Sequence, residues 1–256
     1  RRLASEHPNV LVQRPRAVLW GSDQITRLQA EAIGLALAQG RAWTHFINLS
    51  GQCYPLRPVE EIDAFLAAHP DVSFLTWFVL KGDTRWANGT DRIRFTYYWW
   101  PWVHRIMTLP GAGRRLRALL GWGEHTVPVR RRPERAFPRD FECHGGSNWV
   151  MLSHVACEHL TADPDCQRLL LWMRHACISD ELFFATALRG GKWTGPCENR
   201  NFREQDFAVG TISPRTFTRN DLPRLRASDA FFARKFDSQI DSAVLDELEQ
   251  RANPAL

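Results

Sequence analysis

Apolar residues recur along this chain with two periods. Val18-Leu19-Trp20-Gly21 reads as a strand end running into a turn, and Ser22 or Asp23 stands where a helix cap belongs. Behind them Ile25, Leu28, Ala32 and Leu35 return at helical spacing, which predicts a helix with those residues on one face, stopped at Gly40. Phe46-Ile47-Asn48-Leu49 reads as a buried strand and Gly51 to Pro55 as a loop. Pro58 is placed to open a helix that turns Ile62, Phe65 and Leu66 to one side. Val72 to Phe78 predicts one further strand.

Between Lys81 and Arg139 the periodicity lapses. This stretch holds the aromatic run Tyr97-Tyr98-Trp99-Trp100-Pro101-Trp102, a short basic helix near Arg114 to Leu120, and several prolines. It reads as a long excursion from the sheet, a kind of segment that often carries function. Regular structure resumes at Ser147 to Leu152, and helices are predicted near His154 to Leu160 and Pro164 to Ala176. Ser179 is a cap candidate for a third helix from Asp180 to Leu188, ended by Gly190-Gly191. Phe231 to Phe236 predicts a short extended segment. A final helix near Ile240 to Gln250 uses Ile240, Val244, Leu245 and Leu248. Strands alternating with helices predict an α/β domain, taken as one unit over residues 1–256.

Composition agrees with that size. The 256 residues are 44% hydrophobic and include 11 Trp and 15 Phe, which is ample for a large core. No apolar run approaches the roughly 18 residues of a membrane-spanning helix. The opening residues Arg1 to Pro8 lack a signal-peptide core and no initiator Met is present, so the chain is expected to be a fragment missing its N-terminal part. The formal charge of +5 gathers in Arg114-Arg115-Leu116-Arg117 and Arg130-Arg131-Arg132. Such clusters suit phosphates, anionic glycans or anionic lipid, but read first as solvated surface. The six cysteines contain no Cys-x-x-Cys pair, which disfavours a structural zinc site. Buried free thiols are expected, with a bridge or two only in an exported protein.

Three segments hold candidate chemistry. Glu181, in Ile178-Ser179-Asp180-Glu181-Leu182-Phe183-Phe184, sits at a predicted helix start beside apolar rings. An ionised carboxylate there can take a proton from a hydroxyl, although local sequence alone favours an ordinary capping acid. Arg234 and Lys235 stand between aromatic residues at a strand end, where both can reach one diphosphate. The rival reading makes them a surface pair with Asp237 as partner. His144-Gly145-Gly146-Ser147-Asn148-Trp149 is a glycine-containing turn, with glycines that admit a ligand close to backbone and a Trp able to stack on a sugar. Neither a P-loop nor a Rossmann glycine motif occurs, and there is no H-E-x-x-H. Asp91-Arg92 and Asp163-Pro164-Asp165 are poor metal pairs, the latter reading as a helix-initiating turn. His144, His154, His159 and His175 are scattered, so no bound metal or other cofactor is expected.

Taken in order, these segments resemble glycosyltransferase family 14, the peptide O-xylosyltransferases and core-2/I-branching N-acetylglucosaminyltransferases. The matching stretches are Val18 to Ser22, Trp43 to Leu56 (Trp-Thr-His-Phe-Ile-Asn-Leu-Ser-Gly-Gln-Cys-Tyr-Pro-Leu), Gly145 to Trp149, Asp180 to Phe184, Ser213-Pro214 with Phe217 and Asp221, and Phe231 to Asp237. They keep their order from about Val18 to Leu248, and Phe-Phe-Ala-Arg-Lys-Phe is closest to the xylosyltransferases. The resemblance implies a GT-A-like mixed sheet flanked by helices and an inverting, metal-independent transfer from a UDP-sugar to a glycan or peptide hydroxyl. It implies Glu181 as general base, Arg234 and Lys235 on the donor diphosphate, and Gly146, Ser147, Asn148 and Trp149 near substrate. Cys53 stands where an acid is common and Asn148 where Asp is common in xylosyltransferases, and the family's N-terminal strand and turn have no counterpart. The expected protein is therefore a truncated transferase, cytoplasmic or peripherally membrane-associated if bacterial, whereas eukaryotic relatives are Golgi-lumenal. A β-1,6-N-acetylglucosaminyltransferase and a non-catalytic glycan- or nucleotide-binding module are the alternatives. Nucleic-acid binding ranks last, because no recognisable motif accompanies the arginines.

Overall fold

The computed structural model describes residues 6–7, 9–16, 18–80, 136–208, 211 and 213–252, with two strands and a few single positions between 93 and 132. In chain order the elements are α1 (Gln24–Ala38), β1 (His45–Ile47), β2 (Cys53–Pro55), α2 (Val59–Ala68), β3 (Ser73–Leu75), β4 (Trp77–Val79), β5 (Thr96–Trp99), β6 (Val129–Arg132), β7 (His144–Gly146), β8 (Met151–Ser153), α3 (His154–Ala162), α4 (Pro164–Trp172), α5 (Phe183–Arg189), β9 (Cys197–Asn199), β10 (Arg203–Glu204), α6 (Leu222–Ala227), β11 (Phe232–Arg234) and α7 (Ala243–Ala252). Single 3-10 turns lie at Met173–His175, Ser179–Glu181 and Arg219–Asp221.

The strands are short because turn chemistry interrupts them. A four-stranded mixed sheet runs β1-β8-β3-β9, with β8 antiparallel to both β1 and β3, and β9 parallel to β3. A three-stranded sheet runs β10-β11-β2, and β4 pairs with β7. Helices α1, α3, α4 and α5 pack a core of Ile33, Leu160, Leu169, Phe183 and Phe184 against Leu75 and Leu152. Helices α6 and α7 close a second core around Leu225, Ala233, Phe236 and Val244. Between the sheets, Ile62 and Leu66 of α2 meet Phe74, Met151 and the stacked rings of Phe202 and Phe231, 4.4 Å apart. This is the mixed α/β architecture, several sheets flanked by helices, that the sequence pattern predicts, and it is consistent with a GT-A-like fold.

Several elements follow their sequence signals closely. Pro58 precedes α2, whose Ile62 and Leu66 are buried. Asp163 accepts the backbone N–H groups of Asp165 and Cys166, and with Pro164 it starts α4 as the Asp-Pro-Asp turn predicts. Ser153 caps α3 in the same way by accepting from Ala156. All six cysteines are free.

Other expectations are corrected. Val72 to Phe78 is two strands, not one. The chain bends at Thr76, whose hydroxyl accepts the Ser147 N–H at 3.0 Å and whose carbonyl lies against Gly146. Beyond the bend, the Asn199 side chain bonds both the N–H and the carbonyl of Trp77, so β4 passes into a different sheet from β3. The inward face of α1 carries Thr26 and Ile33, while Leu35 is 39% exposed. A polar residue fits that face because the Thr26 hydroxyl bonds that of Ser179 at 2.7 Å. Gln24 takes its N–H cap from Ser22 Oγ, and Asp23 instead pairs with Arg27 at 3.0 Å.

Ser179 does not cap a helix. It opens the 3-10 turn to Glu181, and α5 begins only at Phe183. Residues Cys53–Pro55, expected as loop, form β2, and His144–Gly146, expected as turn, form β7. The last helix starts at Ala243, which leaves Ile240 62% exposed. Within the predicted excursion, Thr96–Trp99 pairs antiparallel with Val129–Arg132. Most of the basic helix near 114–120, and Trp100 to Trp102 of the aromatic run, lie outside the described residues. No helix among the described residues is long and apolar enough to cross a membrane.

Candidate active site

A cleft of about 410 Å³ opens where the start of α1, the β7–β8 turn, the Ser179–Glu181 turn, the segment after β10 and the end of β11 converge. Ser147, Asn148, Trp149, Glu181 and Arg234 all line it, although they lie up to 87 residues apart in sequence (147 to 234). Trp20, Asp180, Gln205, Phe207, Ser213 and Pro214 complete much of its wall.

Each wall is held from behind. In the β7–β8 turn the Asn148 carbonyl accepts from Asn48 Nδ2 at 2.6 Å and from Gln29 Nε2 at 3.3 Å, and the Asn48 carbonyl oxygen Oδ1 accepts the Val150 N–H at 2.7 Å. Asn48, at the end of the strand β1, thus clamps the turn from both sides. Ser147 Oγ accepts the Trp149 N–H, which fixes the indole's backbone. Gly146 itself faces the fold: a side chain there would collide with Thr76 O, so its lack of a Cβ serves the close approach of β7 to Thr76.

The Glu181 turn is anchored by the Ile178 N–H, which bonds Gly21 O at 2.7 Å, and by the buried Thr26–Ser179 hydroxyl pair. Ile178 adopts a left-handed conformation, φ 53°, which turns the chain into the cleft. Glu181 is half-buried and lies ahead of α5, with the buried rings of Phe183 and Phe184 behind it. Asp180 beside it is buried.

Two arginines flank Trp149, Arg234 in the cleft wall and Arg203 buried behind it. Arg234, the last residue of β11, pairs in register with Cys53 of β2. Its guanidinium lies 4.5 Å from the centre of the Trp149 ring. Arg203 of β10 lies 5.0 Å from the same ring and 5.0 Å from that of Phe232. Burial lowers the pKa of both guanidiniums, that of Arg203 to about 10. Lys235 reaches the rim indirectly, donating from Nζ to Ser213 Oγ at 3.3 Å. Among the described residues neither Arg234 nor Lys235 pairs with Asp237, whose carboxylate instead accepts the Gln239 N–H.

The structure thus brings Glu181, Ser147, Asn148, Trp149 and Arg234 to one cleft, sets Lys235 at its edge, and keeps Gly146 behind the wall. Sequence reasoning missed Arg203, Asn48 and the two exposed aromatics Trp20 and Phe207, 45% and 52% exposed at the cleft. A lone Arg in Asn201-Phe202-Arg203-Glu204 carries no sequence signal, because its role depends on strand pairing with β11. Away from the cleft lining, His159, Asp163 and Cys166 bring their polar atoms within 4.8 Å of one another, a grouping that scattered histidines did not predict. Its bonds are internally explained. Asp163 caps α4, and burial pushes the Cys166 thiol up to about 12, so it stays neutral beside His159 Nε2 at 3.4 Å.

The profile of the Core-2/I-branching enzymes matches residues 1–226. Xylosyltransferase oxt of Drosophila melanogaster is 26% identical over 270 residues, covering 97% of this chain and 28% of its own length. Xylosyltransferase 2 of Homo sapiens is 28% identical over 267 residues, covering 96% of this chain, and the xylosyltransferase of Ciona intestinalis is 25% identical over 262 residues. The chain spans 28% of the length of each of these relatives, all of them eukaryotic. With the profile covering most of the sequence and the ordered motifs converging on one cleft, the chain belongs to the Core-2/I-branching enzyme family.

Proposed function

We propose that this chain binds a UDP-sugar and an acceptor hydroxyl in the cleft and transfers the sugar with inversion. The observation that carries the reading is the meeting in a single cavity of the half-buried carboxylate of Glu181, with buried Asp180 beside it, the Trp149 ring, and Arg234, a cation without a carboxylate partner among the described residues. The acceptor oxygen attacks the anomeric carbon while Glu181 takes its proton. The bond from the anomeric carbon to the UDP oxygen breaks, and its electron pair leaves with the β-phosphate. Negative charge grows on that phosphate as the bond lengthens, so a fixed guanidinium favours the transition state over the ground state. Lys235 supplies a second, movable charge through the Ser213 edge. A single displacement inverts the anomeric centre and needs no second carboxylate, which fits Glu181 as sole base.

Xylose is the proposed sugar, because the relatives matched along nearly the whole chain are named xylosyltransferases. N-acetylglucosamine is the alternative, from the family's branching enzymes. A glycan or peptide hydroxyl is the proposed acceptor, with exposed Trp20 and Phe207 offering stacking surfaces beside Glu181. Incubating the chain with UDP-xylose or UDP-N-acetylglucosamine and a panel of Ser-containing peptides and oligosaccharides tests this. Donor-dependent UDP release with an inverted product linkage is expected. A retained linkage overturns the mechanism, and silence with every pair overturns the activity.

A further inference from the structure

The three-stranded sheet β10-β11-β2 places four side chains on one face. Arg203 pairs with Phe232, Arg234 lies two residues further along β11, and Cys53 pairs with Arg234. Period-two alternation puts Arg203, Phe232, Arg234 and Cys53 on the same side, and Trp149 lies over both guanidiniums. Arg203 is 9% exposed. Its Nη2 donates to the Asn48 carbonyl at 3.1 Å, whereas Nε and Nη1 are buried with no hydrogen-bond partner. Arg234 Nε is buried in the same condition. Neither arginine forms an ion pair among the described residues, although exposed arginines such as Arg215, Arg219 and Arg224 all have carboxylates.

A buried guanidinium without a counter-ion is costly, and two side by side are costlier. The usual cure is an acid, and the register position for one is taken by Cys53. We infer that Arg203 is a positioning residue of this cleft, one that holds the Trp149 indole and the Asn48 clamp and, with Arg234, reserves a pair of charges for the second phosphate of a bound diphosphate. The inference rests on the reading of the cleft as a nucleoside-diphosphate site. The ligand, not a protein carboxylate, is then the counter-ion. Arg203 reaches the ligand through Trp149 and Arg234, and it ties the charge of the site to the shape of the Ser147–Trp149 wall through Asn48, which bonds Asn148 and Val150.

Calorimetry with UDP, UMP, inorganic pyrophosphate and inorganic phosphate tests this on the intact chain and on Arg203→Met, Arg203→Lys and Cys53→Asp. The readout is the ratio of UDP to UMP affinity, since a merely structural role lowers both affinities together. The ratio is expected to fall about tenfold in Arg203→Met, to recover most of its value in Arg203→Lys, and to fall in Cys53→Asp, where a protein carboxylate occupies the charge pair. Cys53→Asp is also expected to raise the melting temperature of the unliganded protein. An unchanged ratio in Arg203→Met and Cys53→Asp overturns the inference, and if Arg203→Met does not fold, an unchanged ratio in Cys53→Asp alone does so. A wild-type chain that transfers sugar while the ratio stays fixed keeps the proposed function and loses Arg203. An Arg203-dependent preference for pyrophosphate over phosphate, without UDP binding, keeps Arg203 and loses the nucleotide-sugar reading.

Discussion

Arg234 and Cys53 face each other across the β2–β11 ladder, with the Arg234 guanidinium 4.5 Å from the centre of the Trp149 ring. That pairing decides what the cation is free to do. A carboxylate opposite Arg234 would claim its fork. Cys53 gives that guanidinium only a side-chain contact to sulfur, and the Trp149 indole faces it.

Arg234→Ala is therefore expected to weaken UDP binding by about one to two orders of magnitude, the usual cost of deleting a charge-assisted contact in a partly buried site. Transfer is expected to slow further, because leaving-group charge is greatest in the transition state. Arg234→Lys is expected to recover only part of the loss, since the charge returns without the planar fork. Titration calorimetry of UDP on both variants decides it, and unchanged affinity in Arg234→Ala moves the diphosphate elsewhere.

Glu181→Gln keeps the size of the side chain and its hydrogen-bonding capacity but removes the proton acceptor. Transfer is expected to fall by about two to four orders of magnitude with donor affinity retained. Single-turnover rates beside UDP affinity separate the two effects. A variant that transfers at near wild-type rate assigns the base to another group, with buried Asp180 the neighbouring carboxylate to test next.

Local signals carried much of this site, and pairing carried the rest. Asp163-Pro164 and Pro58 announce α4 and α2 because caps and proline act within one turn. The split at Thr76 was invisible, because an apolar run such as Val72 to Phe78 records burial and not which sheet receives each half. The α1 face was misjudged for a related reason: Thr26 is buried only because Ser179, 153 residues away, supplies its hydrogen bond. Glu181, Trp149 and Arg234 were legible as motifs. Arg203 was not, since its meaning arises from lying beside Phe232 and under Trp149. The single 3-10 turn that delivers Glu181 depends on the left-handed Ile178, and a β-branched residue is a type that predicts against such a backbone.

Because side-chain cations are assigned the leaving diphosphate, incubation with EDTA is expected to leave most of the transfer activity. UDP release measured with and without chelator, then with added manganese, checks this. Activity lost to chelation and restored by manganese assigns the phosphate charge to a metal instead of to Arg234 and Lys235.

A last expectation concerns the turn before α6, whose helix packs with β11 in the second core. Asp221 ends the 3-10 turn before α6 and closes a capping box with Thr218, accepting the Thr218 N–H at 2.8 Å. Arg215 hydrogen-bonds both carboxylate oxygens, and these bonds, with the Thr218 N–H, hold the Asp221 carboxyl down to about 2 against an ordinary value of 3.8. The folded pKa is below the unfolded one, so the contribution to stability is complete above about pH 4 and is lost as pH falls through about 2. Asp221→Asn is expected to cost about 1 kcal/mol near neutral pH, in the range of a lost cap, because Arg215 and the Thr218 N–H lose their ionised acceptor. Its deficit relative to wild type is expected to shrink as pH drops from about 4 toward about 2, where the wild-type carboxyl is itself being protonated. Denaturant unfolding of both proteins at a series of pH values measures that difference. A deficit that stays constant across the window places the effect in packing and not in the charge of Asp221.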